Sequence, residues 1–436
     1  MLTSKGVIGS LLAVATTCLV GCGKPAPSPV VEESSAPAVA AKVVSFSPGP
    51  DVQLELQEEL ILVEPGTEIL LEEGVYELDA GLSLDVDNVS IRGQGMDKTI
   101  LRFANQEEGA EGLYITSNGV TIEDLAIEDT KGNGLKSQTA NNITLRRVRV
   151  EWTGGPKETN GAYGIYPVSS ENVLIEGCVA IGGSDSGIYV GQSRNIIVRD
   201  CVAKYNVAGI EIENCYDADV YRNEATKNTG GILVFDLPNL PQQGGHNVRL
   251  FENQVYDNST DNFAPEGNIV GTVPTGTGVM IVSNSNVEVF DNEIKDHGTA
   301  NLLVLSYLST GRNIKDPKYY AFPEAVHIHH NRFGVCGSNP KGDAGGLIAM
   351  ILGTPLPDII WDGVVNPEKL VDGKLPDEFG LFIHDNEKAD GDLGFGNLGG
   401  LASLSDPSKA QPLRDLSAHL GELPPVTAVV IEGVDP

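Results

Sequence analysis

Two short phrases alternate along this chain at nearly constant spacing. One has the form Asn-Val-x-Ile and begins at Asn88, Asn142, Asn172, Asn195, Asn247 and Asn286; the other has the form Gly-Ile-x-Val and begins at Gly164, Gly187, Gly209, Gly231 and Gly278. Successive phrases of one kind lie 22 or 23 residues apart wherever no insertion intervenes. That period is one turn per repeat of a β-solenoid, where each repeat packs on its two neighbours. Within a strand, a residue and the second one after it share a face. The pattern therefore predicts an all-β chain, a single-stranded parallel β-helix of about ten coils over residues 49–398.

Laid in register, the first phrase gives an interior column of Val89, Val120, Ile143, Val173, Ile196, Ala218, Val248, Val287, Val326 and Leu381. Five residues on, where the chain must turn, the column reads Leu125, Val148, Cys178, Cys201 and then Asn223, Asn253, Asn292, Asn331 and Asn386. Amides stacked at the roughly 4.8 Å rung spacing can hydrogen-bond from coil to coil. Such an Asn ladder is a hallmark of right-handed parallel β-helices resembling pectate lyase. Cys178 and Cys201 are stacked neighbours, placed either for a disulfide or as two small buried thiols.

Outward columns differ between the two halves. Arg92, Glu123, Arg146, Glu176 and Arg199 alternate in charge, as stacked neighbours should. The same column continues as Tyr221, Phe251, Phe290, His329 and His384, either an aromatic platform for sugar rings or a surface covered by a loop or the C-terminal tail. The second phrase carries Tyr114, Lys136, Tyr166, Tyr189, Glu211, Leu233, Met280, Leu303 and Ile348 outward. Insertions at 237–247, 257–275, 306–325 and 351–380 are expected to fold over its apolar end and build a deep concavity.

The flanks have their own logic. Residues 1–22 read as an export signal: Lys5 precedes an apolar run too short to span a membrane, which closes on Leu19-Val20-Gly21-Cys22. That ending resembles a bacterial lipobox, which would make Cys22 the lipidated N-terminus; the alternative is an ordinary signal peptide with an incidental Cys. Residues 23–48, rich in Pro, Ala and Ser, read as a disordered tether, and 399–436 as a C-terminal tail. Asp51 is placed to N-cap a helix carrying Val52, Leu56, Leu60 and Val63 over the first coil. The expected location is the cell envelope, on the periplasmic or outer-membrane face, with membrane contact by lipid alone. A net charge of -31 argues against nucleic acid as partner, and against polyuronates unless Ca²⁺ bridges the like charges. No Cys-x-x-Cys-His occurs, so the chain holds no c-type haem of its own, and no cofactor is evident apart from that Ca²⁺.

Two constellations carry chemistry. Tyr166, Tyr189 and Glu211 should form a vertical row with Asp185 nearby, a set suited to acid–base work on a sugar, or else ordinary strand residues. His327, His329 and His330, with His384 one coil away, fit either a metal site or stacked packing.

The segments Gly187–Asn195, Val207–Asn214, Gly230–Pro241 (with its Asp-Leu-Pro-Asn-Leu-Pro run) and Gly276–Met280 resemble a family of bacterial parallel β-helix repeat lipoproteins in the pectin-lyase-like superfamily. The resemblance implies an exported protein whose gene neighbours often encode a c-type cytochrome-like partner, and it offers no catalytic residues to carry over. The function expected is an envelope-anchored binding or scaffold protein for carbohydrate or that cytochrome. The alternative is a polysaccharide-processing lyase, epimerase or hydrolase.

Overall fold

The computed structural model describes residues 42–435, so the export signal, Cys22 and the tether up to residue 41 lie outside the described residues. Backbone hydrogen bonds run almost entirely between coils: 11 strands stack into one parallel sheet and 21 into another that bends around the Asn corner. The Gly-Ile-x-Val phrases form the first sheet, and the Asn-Val-x-Ile phrases with short third strands such as Val179–Ile181 form the second. Register follows the interior column residue for residue, with Ile143 opposite Val173, then Ile196, Ala218, Val248, Val287, Val326 and Leu381. These side chains line one continuous apolar core.

The recurrent Asn and Gly have separate causes. Asn88, Asn142, Asn172, Asn195, Asn247 and Asn286 all sit at φ between 51° and 59°, the left-handed region that Asn tolerates best after Gly. Gly209 is required by close approach, since a Cβ there would lie 2.6 Å from the Gly231 carbonyl oxygen in the next coil.

The Asn corner is a buried amide ladder. Asn253 Oδ1 accepts from the Asn223 backbone N–H and Nδ2 (3.0 Å each), and Asn292 Oδ1 does the same for Asn253 (3.0 and 2.9 Å). Asn331 and Asn386 continue the pattern. Upstream, the ladder gives way to Cys178 and Cys201, which are buried free thiols. A second ladder, not foreseen from sequence, stands five residues downstream, where Asn206, Asn228 and Asn258 pass amide bonds along and end on His297. The charged column is likewise continuous, with Arg146 bridging Glu123 and Glu176, and Glu176 bridging Arg199.

Several expectations need correction at the ends and insertions. Helix Val52–Leu62 buries Val52, Leu56 and Leu60 as expected, but Asp51 makes no side-chain cap. The stretch read as tether includes strand Val43–Phe46, which pairs with Glu68–Leu71 and extends the sheet by one rung. Ile348 is not a strand residue: it lies in helix Gly342–Leu352, and Ile360 is the register partner of Leu303. The insertions do fold over the first sheet, yet they fill it. Leu233, Met280 and Leu303 are sealed beneath Val270, Tyr307, Tyr319, Ile348 and Ile351 in a second apolar core. Each such side chain contributes about 2 kcal/mol on burial, which favours contact over a cavity.

Asn292→Ala should be costly, because it strands the buried Asn253 N–H and the Leu250 carbonyl together. Each orphaned group costs about 1–3 kcal/mol, so urea unfolding should show a loss of about 3 kcal/mol. Asn386→Ala, at the partly exposed end of the ladder, should cost less than half of that.

Candidate functional site

Where the charged half meets the covered half, the first sheet brings Tyr, Asp and Glu together. Tyr189 and Glu211 are register partners, and Tyr163 lies opposite Ser186. Three tyrosine rings meet here: Tyr163 is 4.4 Å from Tyr166 and 4.5 Å from Tyr189, centroid to centroid, and Tyr166 is 5.1 Å from Tyr189. Lys136 lies 5.3 Å over the Tyr166 ring and pairs loosely with Glu111 at 3.8 Å. Tyr163 and Tyr166 keep partial contact with solvent.

Beneath the rings sit three carboxyl groups. Ser186 Oγ donates to Glu211 Oε2 and, at 3.1 Å, to Asp185 Oδ1. Tyr189 Oη donates to Glu213 Oε1 at 2.6 Å, a reach that exists because residue 191 is glycine; any Cβ there would collide with the Tyr189 ring. Glu211 Oε1 is buried and has no hydrogen-bond partner. No lysine or arginine forms an ion pair with Asp185, Glu211 or Glu213 among the described residues. Burial, with repulsion from Asp185 and other neighbouring acids added for the two glutamates, therefore raises all three: Asp185 and Glu213 to about 7, and Glu211 well above the ordinary range.

The sequence row of Tyr166, Asp185, Tyr189 and Glu211 is thus assembled in space, but not as an open cleft. Glu211 is 1% exposed, Tyr189 3% and Asp185 5%. The 257–275 insertion reaches over them: Asn268 Nδ2 donates to Asp185 Oδ2 at 3.1 Å, and Arg312 holds the Gly267 and Asn268 carbonyls at 3.2 and 2.9 Å. Tyr163, Ser186, Glu213 and Asn268 were not singled out in the sequence. Glu213 stands two residues beyond Glu211 on the same strand face, a signal that was present, whereas nothing local marks Asn268.

The aromatic column is also real, and its rings stack on one another. Tyr221, Phe251, Phe290, His329 and His384 stack face to face at 4.6, 5.0, 5.4 and 5.4 Å, so the ring faces are occupied by one another. Arg222 and Arg249 cover further ring surface, and the tail residues Val429, Ile431 and Val434 pack near Tyr221 and Phe251. The apolar row Leu233, Met280 and Leu303 is sealed beneath the insertions and presents no open face. At the far end of the aromatic column, His327, His329, His330 and His384 come together beside Glu288.

Residues 83–240 match the family model described as a right-handed β-helix region. No curated protein matches the sequence. Among solved structures, the chain is similar to the A-module of the mannuronan C-5 epimerase AlgE4 of Azotobacter vinelandii, at 15% identity over 77% of this chain and 90% of that one (TM-score 0.49). It is similar to an exopolygalacturonase from Thermotoga maritima at 10% identity, over 68% and 87% (TM-score 0.41). A third similar structure is pectate lyase Pel9A, at 12% identity over 69% and 76% (TM-score 0.38). At these identities the likeness concerns the fold and nothing finer.

The buried acids set the sign of the pH dependence. With folded values near 7 against 3.8 and 4.5 for the free groups, the native state holds more protons than the unfolded chain between about pH 4 and 7. The stability contributed by these acids is therefore fully present below about pH 4 and lost as pH rises through about 7, and Asp236 and Asp362, raised by burial to about 6, act in the same direction. Glu211→Gln removes the most perturbed acid while keeping its shape. Thermal unfolding at about pH 8 should show Tm raised by about 2 °C, with a shallower decline between pH 5 and 8; an unchanged slope would contradict the assignment.

Proposed function

We propose that this right-handed β-helix protein binds a neutral carbohydrate at the Tyr163–Tyr166–Tyr189 surface, held at the cell envelope by a lipid on Cys22. The observation that carries the reading is the juxtaposition of three tyrosine rings with three carboxyl groups that have no basic ion partner. Aromatic faces pack against the C–H face of a pyranose, and carboxyl groups accept or donate hydrogen bonds to its hydroxyls. A uronate would add negative charge beside buried acids that have no lysine or arginine ion partner among the described residues, so the site favours uncharged sugars. The insertion tip at Asn268 must swing aside to admit a glycan chain.

A second reading, a polysaccharide-processing enzyme, is favoured by one feature: Asp185 and Glu213 both titrate near 7, where a group serves as acid or base at neutral pH. Binding and turnover separate cleanly. Titration calorimetry against neutral and acidic oligosaccharides should show binding of neutral ones only. Tyr166→Ala should weaken it about tenfold, equivalent to about 1.4 kcal/mol of lost stacking. Product release that disappears in Asp185→Asn or Glu213→Gln would make the protein an enzyme. No binding to any glycan, neutral or acidic, would sink both readings.

A further inference from the structure

We propose that Glu288, His327, His329 and His384 form a binding site for one first-row divalent transition-metal ion of the Zn²⁺ class. The site lies on the second sheet and is independent of the carbohydrate reading. Register alone brings the residues together: Glu288 is opposite His327, and His329 is opposite His384, so three successive coils supply one carboxylate and three imidazoles. Ligand atoms of Glu288, His327 and His329 lie within 4.8 Å of one another. His329 Nε2 is 3.0 Å from Glu288 Oε1, and His327 Nε2 is 2.7 Å from His384 Nε2. Metal–nitrogen bonds of about 2.1 Å place tetrahedral ligand atoms about 3.4 Å apart, so an ion is admitted by small side-chain rotations.

Packing explains the stacked rings of His329 and His384 but not the remaining features. Glu288 and His327 are 5% and 6% exposed, and His327 Nδ1 is buried without any hydrogen-bond partner. Glu288 has no lysine or arginine ion partner among the described residues; its second oxygen accepts from the Val426 N–H of the tail at 3.0 Å. Asp385 Oδ2 meets His384 Nδ1 at 3.0 Å, which fixes the proton on that nitrogen and turns the Nε2 lone pair toward His327. A carboxylate that orients a histidine in this way is the usual outer support of a metal ligand. Mixed imidazole and carboxylate donors select Zn²⁺, Co²⁺, Ni²⁺ or Cu²⁺ over the oxygen-seeking Ca²⁺ and Mg²⁺. An adjacent groove of about 530 Å³ reaches His330 and is lined by Glu252, Asp291, Glu293, Asp385 and Glu387 against one cation, Arg332, 3.7 Å from Glu387, a net negative balance that raises the local concentration of cations at its mouth.

The test uses the full chain, stripped with a chelator and titrated with Zn²⁺ alone by calorimetry and with Co²⁺ by visible absorption. One ion per chain, d–d bands from Co²⁺, proton release on binding and a raised Tm are expected. Glu288→Gln and His327→Gln should abolish binding. Asp385→Asn, on the exposed turn, should weaken it 10–100-fold without disturbing the fold, and His246→Gln should leave it unchanged. Where a buried variant fails to fold, His384→Gln gives the same reading from the rim of the site. Absence of Co²⁺ bands in the native chain, equal Zn²⁺ affinity in His384→Gln or Asp385→Asn, or equal affinity for Ca²⁺ would overturn the site and leave packing as the role of these histidines.

Discussion

The constraint on which everything else rests is coil-to-coil hydrogen bonding in fixed register. In a parallel solenoid almost every strand amide and carbonyl is satisfied by the coil above or below, so a one-residue slip would turn the whole interior column outward. Strand backbone cannot satisfy the corners, where the chain bends and both ladders are interrupted. Asn253 shows the solution: its side chain takes the Asn223 amide from one coil and gives to the Val220 carbonyl at 2.8 Å. The amide thus continues the backbone ladder through the turn.

The same register generates sites. Because equivalent residues stack, an outward position becomes a column, and chemistry arises where a column changes character. The first sheet runs from Lys136 through Tyr166, Tyr189 and Glu211 to Leu233, passing from basic to aromatic to acidic to apolar. The acids stand at the boundary, with tyrosines on one side and the insertion-covered core on the other, and so lose water without gaining a cation. The second sheet passes from stacked aromatics to histidines beside Glu288. Neither cluster is contiguous in sequence.

The sequence reading was strongest where periodicity is uninterrupted. The interior column, the Asn corner and the charge alternation from Arg92 to Arg199 are nearest-neighbour properties, and each was visible in residue identity at a fixed offset. It failed where an insertion breaks the period. Gly346-Leu347-Ile348 imitates the second phrase, yet Ile348, Ile351 and Leu352 bury at helical spacing and carry the segment as helix. The aromatic column was aligned correctly, but the face-to-face stacking of its rings rests on side-chain angles that a one-dimensional pattern does not carry. The cover over Asp185 depends on Asn268, 83 residues away, and on Arg312 beyond it. Contacts of that range leave no periodic trace.

The C-terminal tail changes the character of the whole solenoid. Stacked repeats normally have only nearest-neighbour coupling, so their ends can unravel while the middle stays folded. Here the chain doubles back along its own side. Val426 binds Glu288, Val429 binds Asp219, and the Asp435 carbonyl is reached by Arg199, 236 residues earlier. A stack of separable rungs becomes a closed mechanical circuit, in which the last coils cannot unwind without first releasing the middle.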